Sequence, residues 1–223
     1  MQALSQWVSQ LNISALVELL ISVGASLLCI TIHETCHGLV ALWLGDDTAK
    51  RQGRLSLNPL RHVDFMGLVM MALLRFGWAR AVPVDPRHFR RPKLGMALTA
   101  LAGPVSNVLL MLLAMALRVA ALLYLPVGAV RDYVVLFLEL AALLSAGLAV
   151  FNLFPIPPLD GSKVLFSVLP RRWYGLLLRY ERYGMLLLAV LLVTDVLDVP
   201  LTVLRGGLIE FGNSVMILLF RLG

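Results

Sequence analysis

The sequence predicts an all-α polytopic membrane protein of about five to six transmembrane helices, with a membrane-re-entrant, partly β segment after the first of them. Three observations carry this. Of the 223 residues 60% are hydrophobic and 14% charged, where a soluble chain has about 45–50% and about 25%. The mean hydropathy is +0.87, more apolar surface than one globular core of this length can hide. The apolar residues are also gathered into long runs, and the basic residues into the short segments between them.

The runs are Ile13–Leu44, Phe65–Leu74, Leu94–Leu125, Tyr133–Phe154, Tyr183–Val196 and Leu201–Phe220. A helix needs about 20 residues to cross the hydrocarbon core, and the first, third, fourth and last runs reach that length. Tyr183–Val196 spans if it extends toward Pro200. Phe65–Leu74 is too short, and Arg54 and Arg61 precede it while Arg75 and Arg80 follow it. As a full span it would put one basic cluster on the trans side, against the charge rule; as a re-entrant element it leaves both ends in the cytoplasm. Ala81–Val84 is apolar and broken by Pro83, which suits extended backbone. The expected count is five spans plus the re-entrant element, with six spans as the alternative.

The net charge of +6 comes mostly from Lys50–Arg61, Arg75–Lys93 and Lys163–Arg182. These are short loops between apolar runs, so they read as topology signals and not as a nucleic-acid surface. They place the N-terminus outside, the basic loops inside, and the last two runs in a hairpin about Asp198–Pro200. Met1–Asn12 has no Lys or Arg, so it lacks the basic start of a signal peptide and the first run is expected to be retained. Cys29 and Cys36, about 10 Å apart along one helix, are too distant for a disulfide.

The strongest local feature is His33-Glu34-Thr35-Cys36-His37. Helix positions i and i+4 share a face, so both imidazoles can bind one metal, with Glu34 beside them as general base toward an activated water. Ionisable groups deep in an apolar run cost several kcal/mol unless paired, hydrated or coordinated, so this cluster needs more than packing to explain it. Cys36 points about 80° away from the two histidines on an ideal helix and reads as a packing residue. A catalytic zinc takes three protein ligands. His62 and His88 fall in basic loops, expected at the surface. Asp160 ends the Pro-rich break Asn152–Asp160, where it either completes the metal site or caps a helix starting near Ser162. Gly103 reads as a close helix contact, and Asn107 as a packed amide or one bonding across helices near the site.

Together these segments resemble the site-2 protease family of intramembrane zinc metallopeptidases. The resemblance rests on His33–Gly38, Leu44–Lys50, Gly53–Asp64, Gly77–Arg80, Val82–Val84, Ala102–Asn107 and Asn152–Gly161, in the family's order over about residues 30–170. Phe65 and Ala81 stand where the family often has proline. The likeness is to compact members without an inserted PDZ domain or appended CBS pair. It implies one Zn2+ per chain, held by His33, His37 and Asp160, with Glu34 activating the water. It further implies that Asn152 steadies the substrate or the developing oxyanion, and that Val82, Pro83 and Val84 belong to a re-entrant β-hairpin receiving the unwound substrate as an added strand. Asn107 joins the candidate substrate-binding residues.

The expectation is therefore a single integral membrane peptidase domain over 1–223, with a catalytic core of about 13–170 and a C-terminal helical hairpin of about 183–220. Its partners are transmembrane protein substrates and the lipid bilayer, with no nucleic acid. A compact, basic-looped chain suits a bacterial plasma membrane, with the site opening to the cytoplasm. A non-catalytic client-binding protein is the first rival, but has no use for Glu34. A metal transporter is the second, but would need further ligands along a path.

Overall fold

The computed structural model describes residues 13–67, 79–170 and 183–221. Among them the chain is all-helical. Four helices are long and apolar enough to span: α1 (Ile13–Trp43), α2 (Pro92–Tyr124), α3 (Ala129–Leu153) and α6 (Asp198–Phe220). Between the last two of these lie the shorter α4 (Asp160–Val168) and α5 (Gly184–Val193). The chain is a multi-pass membrane protein.

The C-terminal hairpin differs in detail from its expected form. At 10 residues, α5 extends about 15 Å, half of a hydrocarbon core. The chain turns at 194–197, with Asp195 in the left-handed region at φ 55. Pro200 is not at the turn: it lies in the first turn of α6, where its missing N–H costs no helical bond. Of the expected re-entrant run, Phe65–Gly67 begins a helical turn, and residues 68–74 lie outside those described.

The packed centre is made by α1, α2 and α3, with α4 closing against α2. Its buried members are Ala25, Cys29, Met111, Ala114, Ala141, Ala142 and Ala146. Lipid is as apolar as leucine, so burying apolar area drives little here; small side chains let the helices approach and gain dispersion contact. Ile13–Leu20 is largely exposed, a face for lipid, whereas Thr31–Ala41 is largely enclosed. The metal-motif turns thus lie in the most protected part of α1. The Cys29 thiol lies 3.2 Å from the Ser145 hydroxyl and both cysteines are free.

The basic loops do more than set topology. Arg54 is buried, and its guanidinium donates to the carbonyls of Arg61, Arg80 (2.6 Å) and Ala81. Burial lowers its pKa from the usual value, the nearby Arg80 charge adds to this, and Glu34 opposes it. Asp46 is fully buried; it accepts from the Asp85 N–H at 2.7 Å, from the Thr48 N–H and hydroxyl, and from His88 Nδ1. Residues 81–85 are therefore pinned at both ends by side chains. They form no strand; among the described residues the side chains that hold them are Arg54, Glu34 and Asp46.

Candidate metal centre

His33 and His37 stand one turn apart on α1, their rings edge to face with centroids 4.6 Å apart. Each Nε2 lies 3.1 Å from the same oxygen, Asp160 Oδ2. All three side chains are buried, and their donor atoms lie within 4.8 Å of one another. Asp160 reaches them because α4 begins there. The expected alternative of a capping aspartate does not hold: the N-cap position is Leu159, with no side-chain capping bond. Gly161 makes the approach possible. A Cβ there would lie 2.1 Å from the Leu153 carbonyl oxygen, so only glycine lets α4 fold back against the end of α3.

The hydrogen bonds behind the histidines decide what the cluster can hold. His37 Nδ1 lies 2.7 Å from the Thr99 carbonyl. A carbonyl only accepts, so Nδ1 carries the proton and the neutral ring presents a lone pair at Nε2. That lone pair faces a carboxylate oxygen at 3.1 Å, a pairing that requires either a metal cation between them or a second proton on the ring.

The residues fit zinc on two further grounds. Donors bound at about 2.05 Å in a tetrahedron stand about 3.3 Å apart, close to the 3.1 Å separations found. A Cβ on Gly103 would come within 2.5 Å of His37 Nε2 and 2.6 Å of His33 Nε2, so bare backbone keeps the space beside both nitrogens clear. The packing contact expected of Gly103 is thus a contact with the imidazoles themselves. Lys163 Nζ, 3.5 Å from Asp160 Oδ1, neutralises the carboxylate's other oxygen.

Glu34, beside the histidines on α1, is buried, and its Oε2 accepts the Val82 N–H at 2.9 Å. Val82 is buried, while Pro83 and Val84 are half-exposed. Asn152 is half-buried at the end of α3, and its Nδ2 donates to the Leu148 carbonyl one turn back. Asn107 is fully buried, with Nδ2 3.1 Å from His33 Nδ1; it stands behind a candidate ligand, away from any surface a substrate could touch. Cys36 is absent from the donor cluster. His62, expected at the surface, is 1% exposed: its Nε2 donates to the Ser56 carbonyl, while Nδ1 has no partner among the described residues. His88 keeps its exposure but serves Asp46. Asp46, Asp47 and His88 also gather donor atoms, yet Asp46 Oδ1 already has the Thr48 and His88 donors. Sequence reasoning missed Arg54, Asp46 and Thr99; Arg54 and Asp46 stood within the quoted motifs, but nothing local marks a backbone carbonyl as a ligand's partner.

The sequence model of peptidase family M50 matches residues 122–194, which include Asn152 and Asp160. YwhC of Bacillus subtilis (strain 168), which carries "zinc metalloprotease" in its name, is 39% identical over 166 residues, 74% of this chain and 76% of the relative. Two proteins named Rip2, also with "zinc metalloprotease" in the name, match over 177 residues, 77% of this chain and 66% of theirs. The one from Mycolicibacterium smegmatis is 30% identical and the one from Mycobacterium tuberculosis 32%. No solved structure matches the chain. Identity of 39% over about three quarters of both chains, the match to the family model and four helices long and apolar enough to span lead to one assignment: the chain belongs to the site-2 protease family, peptidase family M50, of zinc metalloproteases.

Proposed function

We propose that this protein is an intramembrane endopeptidase that hydrolyses transmembrane substrates with one zinc ion per chain, held by His33, His37 and Asp160. The observation that carries the reading is the meeting of these three buried side chains, from α1 and α4, around one carboxylate oxygen. When bound, zinc supplies a Lewis acid that polarises the scissile carbonyl and acidifies water. Every other task falls to the chain.

Glu34 takes the proton from the attacking water and returns it to the leaving amine. The Val82 N–H holds its carboxylate at 2.9 Å, which fixes one oxygen and leaves the other for the proton. The same bond gives the extended segment a direction. Along such backbone the N–H and C=O of one residue and of the next but one face the same edge. In an extended course the Val82 carbonyl and Val84 N–H would share the edge turned to Glu34, where an unwound substrate strand can pair. Pro83 keeps the opposite edge poor in donors. Unwinding is required because a helical peptide bond is shielded by its own hydrogen bonds. Asn152, at the mouth of the Pro-rich break, steadies the substrate or its developing negative charge. The N-terminus lies outside and the site opens to the cytoplasm, the side on which the basic loops gather.

The test is zinc content of detergent-purified protein alongside cleavage of a transmembrane reporter in proteoliposomes. Wild type should hold about one zinc per chain, and Asp160→Ala should lose it. Glu34→Gln should keep its zinc and cleave nothing. Zinc retained equally by Asp160→Ala would remove Asp160 from the ligand set, and cleavage by Glu34→Gln would remove Glu34 as the base.

A further inference from the structure

The two histidines are held from behind in different ways. His37 Nδ1 has a backbone carbonyl, which admits one tautomer. His33 Nδ1 has the side-chain amide of Asn107 at 3.1 Å, and an amide can donate through Nδ2 or accept through Oδ1. Asn107 is 0% exposed, and among the described residues its Oδ1 has no hydrogen-bond partner. Among them His33 is thus the one group that orients the amide.

The two orientations answer to the two tautomers of His33. With Nδ2 toward the ring, Nδ1 accepts, the proton sits on Nε2, and Nε2–H donates to Asp160 Oδ2 at 3.1 Å. That arrangement turns a proton toward the place a metal would take. A ligating Nε2 needs its lone pair free, which puts the proton on Nδ1 and requires an acceptor there. Turning the amide by 180° supplies one without moving either helix.

We infer that Asn107 is a positioning residue that sets the tautomer of His33, its side-chain oxygen accepting the Nδ1–H whenever His33 ligates the metal. His37 is then held from behind by a backbone acceptor and His33 by a side-chain one. This rests on the proposed His33–His37–Asp160 site. It also accounts for an amide at residue 107 in an apolar helix: a carboxylate would enforce one tautomer, and an apolar side chain would enforce neither.

The experiment is competitive zinc titration of detergent-purified wild type, Asn107→Asp, Asn107→Leu and, for the parent site, His37→Ala. Asn107→Leu should bind zinc about 10- to 100-fold more weakly, the usual cost of losing a ligand's outer partner. Asn107→Asp keeps an acceptor and should stay within about threefold of wild type. Wild-type affinity in Asn107→Leu, or an equal loss in both variants, overturns the inference. Because Asn107→Leu could fold poorly, 15N spectra of histidine-labelled wild type provide an independent reading. Zinc-loaded His33 should be protonated at Nδ1, and a proton on Nε2 overturns the assignment. Undiminished zinc binding by His37→Ala would instead strike the parent site, whatever the Asn107 variants do.

Discussion

Gly103→Ala tests whether the space beside the imidazoles is functional. The added methyl carbon would meet His33 Cε1 and His37 Nε2 at 2.5 Å and His33 Nε2 at 2.6 Å. Ordinary contact begins at about 3.4 Å, so α2 must retreat by nearly 1 Å or both rings must turn. Overpacking of this kind costs about 1–3 kcal/mol. Expressed wholly at the metal site, that is about a 5- to 150-fold weaker zinc affinity, at 1.4 kcal/mol per decade. Alanine is favoured over glycine within a helix by about 1 kcal/mol, so loss of affinity cannot be blamed on a weakened α2. Gly147→Ala is the control, since a Cβ on Gly147 in α3 meets nothing within 4 Å. The assay is zinc competition against a chromophoric chelator in detergent. Wild-type affinity in Gly103→Ala, or an equal loss in Gly147→Ala, would refute the reasoning.

Gly161→Ala should be the more damaging glycine change, because its obstacle is the Leu153 backbone; it is expected to displace Asp160 and abolish stoichiometric zinc, as metal analysis would show. Arg54→Met removes charge-assisted bonds worth about 1.5–3 kcal/mol each and should expose the 79–85 segment to limited proteolysis. Arg54→Lys should rescue it poorly, since one ammonium lacks the fork that reaches several carbonyls. Burial of Asp46 raises its pKa, but the Thr48 hydroxyl, the Asp85 N–H and His88 outweigh this and hold it below the usual value. A depressed carboxylate stabilises the fold above its unfolded pKa of about 3.9, and that stability is lost as pH falls through the folded value. Protease resistance of the same segment should therefore be flat from about pH 7 to 5 and fall below about pH 4. In Asp46→Asn it should already be low at pH 7, with little further change in acid.

The membrane class, the four long apolar runs and the pairing of His33 with His37 were legible because each depends on local pattern. An apolar run of spanning length has one comfortable environment, and His33-Glu34-Thr35-Cys36-His37 places two imidazoles on one helix face by geometry alone. The Asn152–Gly161 break announced a site, although its Asp160 had two possible uses. What could not be read was which polar groups would be drawn inward. His62 looked like a loop residue and is buried on the Ser56 carbonyl. Arg54 looked like a topology charge and gathers the carbonyls of Arg61, Arg80 and Ala81. Val82 was expected to face a substrate and already gives its N–H to Glu34.

By itself, then, the sequence determined the solvent in which this chain folds and the chemistry it carries, since hydropathy and donor type belong to the residues. Tertiary structure decided which donors meet and in which protonation state. Asp160 joins His33 from 127 positions away because Gly161 lets α4 turn back on α3. His37 is oriented because the Thr99 carbonyl, on another helix, accepts its Nδ1–H. Such relations depend on distances of 2.7–3.1 Å between distant segments, which packing sets and no local pattern contains.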